Sequence, residues 1–265
     1  MTTTAIPART VELAPRAALL PALGAVYRAQ LSRARVSRIP LLFVATFQSL
    51  GIMVMMRGVV GTGPADTGAA RDVVAGSSVL VVAFVALNLL AQYFGRLQAS
   101  GGLDHYATLP VPAAAVVLGT AGAYASFTVP GTLLTAAAGC VLFQLSWLHL
   151  WVLLLVVPLS GAALSGVGAA CGLLADRQEI ATLLGQLGMS AALLLGVLPP
   201  SHMPEPIRWL RDLLPSTYGV DALARTFAAR PDWAAVGADL TVCAVVGAAS
   251  LALATWAYRR AATRA

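Results

Sequence analysis

Acids and arginines are interspersed from Glu205 to Asp232: Glu205, Arg208, Arg211, Asp212, Asp221, Arg225, Arg230 and Asp232. Carboxylates and guanidinium groups clustered near a lipid headgroup layer have the chemistry to grip phosphate or a metal ion. A membrane-embedded lipid- or phosphate-handling enzyme would use such a set. The spacing does not follow through. No pair of acids falls at metal-ligand spacing within one helix, and the chain contains neither H-E-x-x-H nor G-x-S-x-G. Asp221 and Arg225 stand four apart, the interval of an ordinary ion pair along one helix.

A P-loop nucleotide site is excluded more firmly. All 17 basic residues are Arg, and a P-loop needs a Lys to reach the nucleotide phosphates. No such site can form in this chain. The cysteines Cys140, Cys171 and Cys243 lie inside apolar runs without C-x-x-C spacing. They read as small buried hydrophobes rather than as disulfide partners or metal ligands.

What remains is a set of uncharged polar side chains inside long apolar runs. Thr46, Gln48 and Ser49 share one run; Asn88 and Gln92, four apart and so on one helical face, share the next. Such groups either hydrogen-bond neighbouring helices, at about 0.6 kcal/mol each, or line a pathway that contacts a solute. Gln48, Asn88 and Gln92 are the candidates for lining. No Asp, Glu, His or Arg sits near the middle of any run, and His105 and His149 fall at the ends. Proton- and ion-coupled pumps place such groups within the bilayer, so a self-powered antiporter is not expected.

The elements that hold these residues follow from composition. The chain is 58% hydrophobic and only 11% charged, against about 25% charged in a soluble globular domain. No charged residue occurs between Asp104 and Asp176. The predicted fold is all-α and polytopic, with six transmembrane helices at about 39–56, 73–94, 113–143, 150–175, 180–198 and 234–258. Each matches in length the roughly 20 apolar residues that a bilayer crossing needs, except the third, which is longer than one crossing requires. Pro130 and Gly131 are expected to kink the third span. Gly168 and Gly172 form a G-x-x-x-G pair in the fourth, suited to close packing within the molecule. Residues 1–21 are expected to be a flexible cytoplasmic leader and residues 22–265 a single membrane domain. The start of the chain is not a signal peptide, since arginines and Pro7, Pro15 and Pro21 interrupt its apolar residues.

Orientation follows from arginine placement. Six arginines precede the first span; Arg96, Arg177 and three at the C-terminus fall on the same side of an even-numbered bundle. The opposite side carries Arg57, Arg71, Arg208, Arg211, Arg225 and Arg230, accompanied by acids. Both termini are expected to be cytoplasmic in a multi-pass plasma-membrane protein. The partner implied by this composition is the lipid bilayer and not nucleic acid.

Three segments in this order resemble the permease subunits of ABC type-2 exporters. The first is ALGAVYRAQLSRARVSRIP, residues 22–40, similar to the amphipathic interface helix that leads into the first span of that family. The second is GGLDHYATLPVPAAAVVLG, residues 101–119, similar to the family's coupling helix, which docks on the ATPase subunit. The resemblance implies ATPase-coupling roles for Gly102, Leu103, Asp104, Tyr106, Thr108, Leu109 and Pro110, together with Arg28, Arg33 and Arg35 of the interface helix. The third is GVLPPSHMPEPIRWLRDLLPSTYGVDALARTF, residues 196–227. In the family this region forms a re-entrant helical hairpin on the outer side, matched here by Pro199, Pro200, Pro215, Tyr218, Asp221 and Arg225. The resemblance further implies a translocation pathway built as a homodimer or heterodimer. ATP and Mg would be bound by a separate ATPase subunit, this chain would carry no cofactor, and transport would be outward. The competing readings are the lipid- or phosphate-handling enzyme above and an assembly subunit that transports nothing.

Overall fold

Six apolar helices, each long enough to cross a bilayer, account for most of the chain: Ile39–Gly58, Gly68–Ala99, Ala113–Phe143, Leu150–Leu174, Gln178–Val197 and Trp233–Ala262. A computed structural model describes residues 17–37, 39–60, 68–198, 204–228 and 230–262. Among the described residues there is no strand. The fold is all-α, as the sequence predicts.

Helix α1 (Leu19–Ser37) leads into α2 (Ile39–Val60), the first span. It starts three residues earlier than expected because Pro21 falls in its first turn, where a missing N–H costs nothing. Helix α1 rests against α6 (Ala113–Phe143), the third span. Two glycines of α6 admit it: a Cβ on Gly119 would meet Val26 Cβ at 3.0 Å, and one on Gly122 would meet Tyr27 Cδ2 at 3.6 Å.

The second span is the hub of the bundle. It comprises α3 (Gly68–Ala83), a π-helical turn (Phe84–Leu89) and α4 (Leu90–Ala99). It runs longer at both ends than the residues 73–94 read from hydropathy. The fourth span, α7 (Leu153–Leu174), lies against it. A Cβ on Gly168 would strike the Ala86 carbonyl, and one on Gly172 would lie 2.5 Å from the Ala91 carbonyl oxygen. The G-x-x-x-G pair therefore serves packing within the chain, as its spacing suggests. The fifth span, α8 (Gln178–Val197), meets the same helix from another side, with Gly185 facing the Leu87 carbonyl and Asn88.

Helix α6 runs unbroken through Pro130. The hydroxyls of Thr128, Thr132 and Thr135 donate to the carbonyls of Ala125, Thr128 and Gly131 at 2.7, 3.0 and 2.9 Å. Each bond returns a threonine hydroxyl to a carbonyl three or four residues back along the same helix, so these polar groups are satisfied within α6. Between the fifth and sixth spans stand α9 (Glu205–Leu213) and α10 (Pro215–Thr226), and α11 (Trp233–Ala262) closes the bundle against α7. Two apolar clusters fill the interior. One lies toward α10, with Val73, Leu153, Leu223 and Phe227; the other lies toward α5 (Gly102–Thr108), with Phe94, Leu103, Leu173 and Tyr258.

Candidate functional site

Helix α5 stands between the second and third spans. Gly101 precedes it with φ 68°, a left-handed conformation that glycine adopts without a Cβ clash. The chain can therefore turn sharply out of α4. Leu103 is buried with Phe94 and Tyr258, and Tyr106, three residues on, is half-buried on the same side. Thr108, Leu109 and Pro110 are exposed, whereas Gly102 is half-buried. The helix is thus held from inside by Leu103 and Tyr106, and it presents its C-terminal end outward. Asp104 lies on α5, but its side chain is outside the described residues, as is that of Arg35 on α1.

Helix α1 joins this region through hydrogen bonds at its buried face. Gln30 is 3% exposed, and its Nε2 donates to the Tyr93 hydroxyl at 2.6 Å. The Tyr93 side chain is also in hydrogen-bonding contact with Tyr106 and tilts against the Tyr124 ring at 6.0 Å. One polar chain therefore runs from α1 through α4 to α5. The Tyr27 hydroxyl adds a bond to Ser126 Oγ at 3.0 Å, and the Ala17 N–H donates to the Pro110 carbonyl at 2.9 Å. Arg28 and Arg33 are exposed on α1, and Arg28 Nε donates to the Gly24 carbonyl at 3.3 Å. Sequence reasoning missed Gln30 and Tyr93. The available signal was Gln30 itself: it shares a helical stripe with Leu23, Val26 and Tyr27, and a polar residue on an apolar stripe needs a buried partner.

The polar residues of the spans divide. Asn88 falls within the π-helical turn, and Gln92 Nε2 donates to Asn88 Oδ1 at 2.6 Å. A Cβ on Gly185 would lie 3.2 Å from Asn88 Cα, so α8 covers this pair at close range. Gln48, half-buried on α2, is not brought into hydrogen bonding with either. Ser49 Oγ, one residue on, bonds instead to the Ser77 carbonyl of the second span. A π-helical turn within an α-helix is uncommon and frequently marks a functional site.

The segment between the fifth and sixth spans is tied down by charge. Arg211 is buried and makes a two-pronged pair with Asp221, one arm at 3.0 Å. Arg225 Nε pairs with Asp239 Oδ2 of α11 at 3.0 Å. Asp221 and Arg225 therefore do not pair with each other along α10, contrary to their four-residue spacing. The tight turn at Leu214 folds α9 back and brings in a partner from ten positions away. The Thr217 hydroxyl lies 2.8 Å from the Arg211 carbonyl and 2.7 Å from that of Leu214, securing the turn. Pro215 begins α10, and Tyr218 on it is half-buried. Pro199 and Pro200 lie outside the described residues. Asp232 caps α11, accepting from the N–H groups of Ala234 and Ala235 at 3.1 and 3.2 Å. Arg71 and Asp72 of α3 join Arg211, Asp221, Arg225 and Asp232 around a cleft of about 410 Å³. Within the charged run of the sequence, Asp221 and Asp232 thus have structural partners.

The family model described as ABC-2 type transporter matches residues 23–227. No curated protein matches the chain. The matched stretch takes in α1 from Leu23 onward, the first five spans, α5 and the α9–α10 segment. The chain belongs to the ABC-2 type transporter family, as a multi-pass membrane component.

Proposed function

We propose that this chain is the permease subunit of an ABC exporter, lining the translocation pathway as a dimer and driven by a separate ATPase subunit that binds ATP and Mg. The observation that carries the reading is the hydrogen-bonded chain Gln30–Tyr93–Tyr106 within the family-matched region. It links the interface helix, the hub span and the short helix α5, the three elements that must move together if a partner pushes from that side. The exposed end of α5, with Thr108, Leu109 and Pro110, is the docking surface, with Asp104 beside it and Arg28, Arg33 and Arg35 along α1. Tyr106 and Leu103 transmit the push inward.

Arginine placement supports cytoplasmic termini in the plasma membrane, which puts α5 on the ATPase side. The α9–α10 segment then lies on the outer side as a re-entrant hairpin, latched by the Arg211–Asp221 and Arg225–Asp239 pairs. Gln92, half-buried on the second span, and Gln48 on the first are the pathway-lining residues, with Asn88 buried beneath α8 as the acceptor that orients Gln92. Exposed apolar faces on the first and fifth spans, with Phe43 and Phe47 on one and Leu183 and Leu187 on the other, support a second copy or a related permease there. ATP-driven closure of the partner biases a two-state bundle toward its outward-open arrangement.

The test is co-purification of the chain with the P-loop ATPase it works with. Leu109→Asp and Asp104→Arg are each expected to release the ATPase while leaving membrane insertion unchanged. Retention of the ATPase by both variants would sink the docking assignment.

A further inference from the structure

A recess of about 330 Å³ lies between α6 and α7, and α1 closes one end of it. Its lining includes Gly122, Ala125 and Ser126 of α6 and Leu154 and Val157 of α7. The two helices approach closely at one level, where a Cβ on Gly161 would sit 3.1 Å from Ala125 Cβ. Beyond that level each helix carries an internal proline, Pro130 in α6 and Pro158 in α7. A proline ring crowds the preceding turn of its own helix. This gives a physical reason for a gap between two spans that otherwise pack on small residues.

Among the described residues, the polar side chains in the lining are Tyr27 and Ser126, and they are bonded to each other at 3.0 Å. Among the described residues no charged side chain borders the recess, so a polar or ionic ligand would lose its hydration without compensation. A hydrocarbon ligand meets no such penalty. The open side is flanked by Leu133 and Leu154, 42% and 69% exposed, on helices that cross the membrane. The medium it opens to is therefore acyl chain rather than water. The Tyr27 hydroxyl bonds Ser126, one residue from the Ala125–Gly161 contact, and Gly161 lies near the middle of the Leu150–Leu174 span. The closed end of the recess is therefore at mid-span, and its other end, at Leu153 and Leu154, is near the start of α7.

We propose that the recess is a lipid site. One acyl chain of a bilayer phospholipid, from the leaflet on the side where α7 begins, lies between α6 and α7 with its terminal carbons against Tyr27. This proposal does not depend on the coupling reading. The chain's seat is distinguished from ordinary lipid contact by being walled on three sides, by α6, α7 and Tyr27.

The test uses the full chain in nanodiscs of phosphatidylcholine doped with a phosphatidylcholine that carries a diazirine in one acyl chain. After illumination, adducts are mapped by peptide mass spectrometry. Adducts on residues 121–133 and 153–162 are expected several-fold above those around Val245 and Leu253, which are lipid-facing residues of α11. Val129→Phe and Leu133→Trp each put a ring into the recess. Both variants are expected to remove the enrichment while leaving α11 labelling unchanged. Recess labelling no higher than that of α11 overturns the site, whether nothing occupies it or a second copy of the chain covers it. Enrichment that persists in both variants also overturns it.

Discussion

Gln30 on the N-terminal helix donates to the Tyr93 hydroxyl on the second span at 2.6 Å, joining positions 63 apart in sequence. The bond is buried at the Gln30 end and continues to Tyr106 on the short helix α5. Tyr93→Phe leaves the Gln30 amide without its acceptor. The stability loss is expected to be about 1–3 kcal/mol, the usual cost of stranding a buried polar group. Gln30→Leu is expected to cost less, because Tyr93 keeps Tyr106, and the double variant less than the two singles together. Thermal unfolding in detergent measures these terms. In the complex with its ATPase, Tyr93→Phe is expected to lower substrate-stimulated ATP turnover without releasing the ATPase. Turnover equal to wild type would leave the bond a packing detail.

The Arg211–Asp221 pair offers a different kind of test. Arg211 is 8% exposed at its side chain and Asp221 25%. Arg211→Ala is expected to destabilise toward the low end of the ~3–5 kcal/mol seen when one partner of a buried pair is removed, because water reaches Asp221. Arg211→Met combined with Asp221→Leu is expected to recover most of that loss, since no buried charge is then left alone. The melting temperatures of the three variants decide it. A double variant as unstable as Arg211→Ala would show that the pair does more than neutralise itself.

Glycines in the spans differ sharply in what they permit. A side chain on Gly168 would run into the Ala86 backbone carbonyl, whereas Gly51 and Gly237 have nothing within 4 Å. Gly168→Val is expected to abolish the monodisperse peak in size-exclusion chromatography. Gly51→Ala and Gly237→Ala are expected to elute as wild type, because their Cβ atoms enter open space. Normal behaviour of Gly168→Val would mean that the fourth and second spans are not in backbone contact.

Much of this architecture was legible because the controlling signals are long and one-dimensional. The third span was read at its observed bounds, Ala113–Phe143, since an apolar run ending in polar residues fixes a bilayer crossing. Gly168 and Gly172 announced close packing by spacing alone. Other features depend on geometry that spacing does not encode. The π-helical turn at Phe84–Leu89 has the same apolar composition whether wound as an α- or a π-helix. Asp221 looked committed to Arg225 because local spacing counts neighbours along one helix; the turn at Leu214 substitutes Arg211, and Arg225 reaches Asp239 on the last span. The α1–α4–α5 chain joins three segments that no local rule connects. Only the misplaced polarity of Gln30 pointed toward it.

The central claim is that this polypeptide provides a route through lipid while another molecule supplies the energy. It is tested most directly by ATP turnover of the purified chain in proteoliposomes, measured alone and with the co-purifying P-loop ATPase. The account predicts no turnover above empty vesicles for the chain alone, because it has no lysine with which to build a P-loop, and turnover when the ATPase is restored. Sustained hydrolysis by the chain alone, at a rate proportional to its amount and unchanged by further purification, would contradict it.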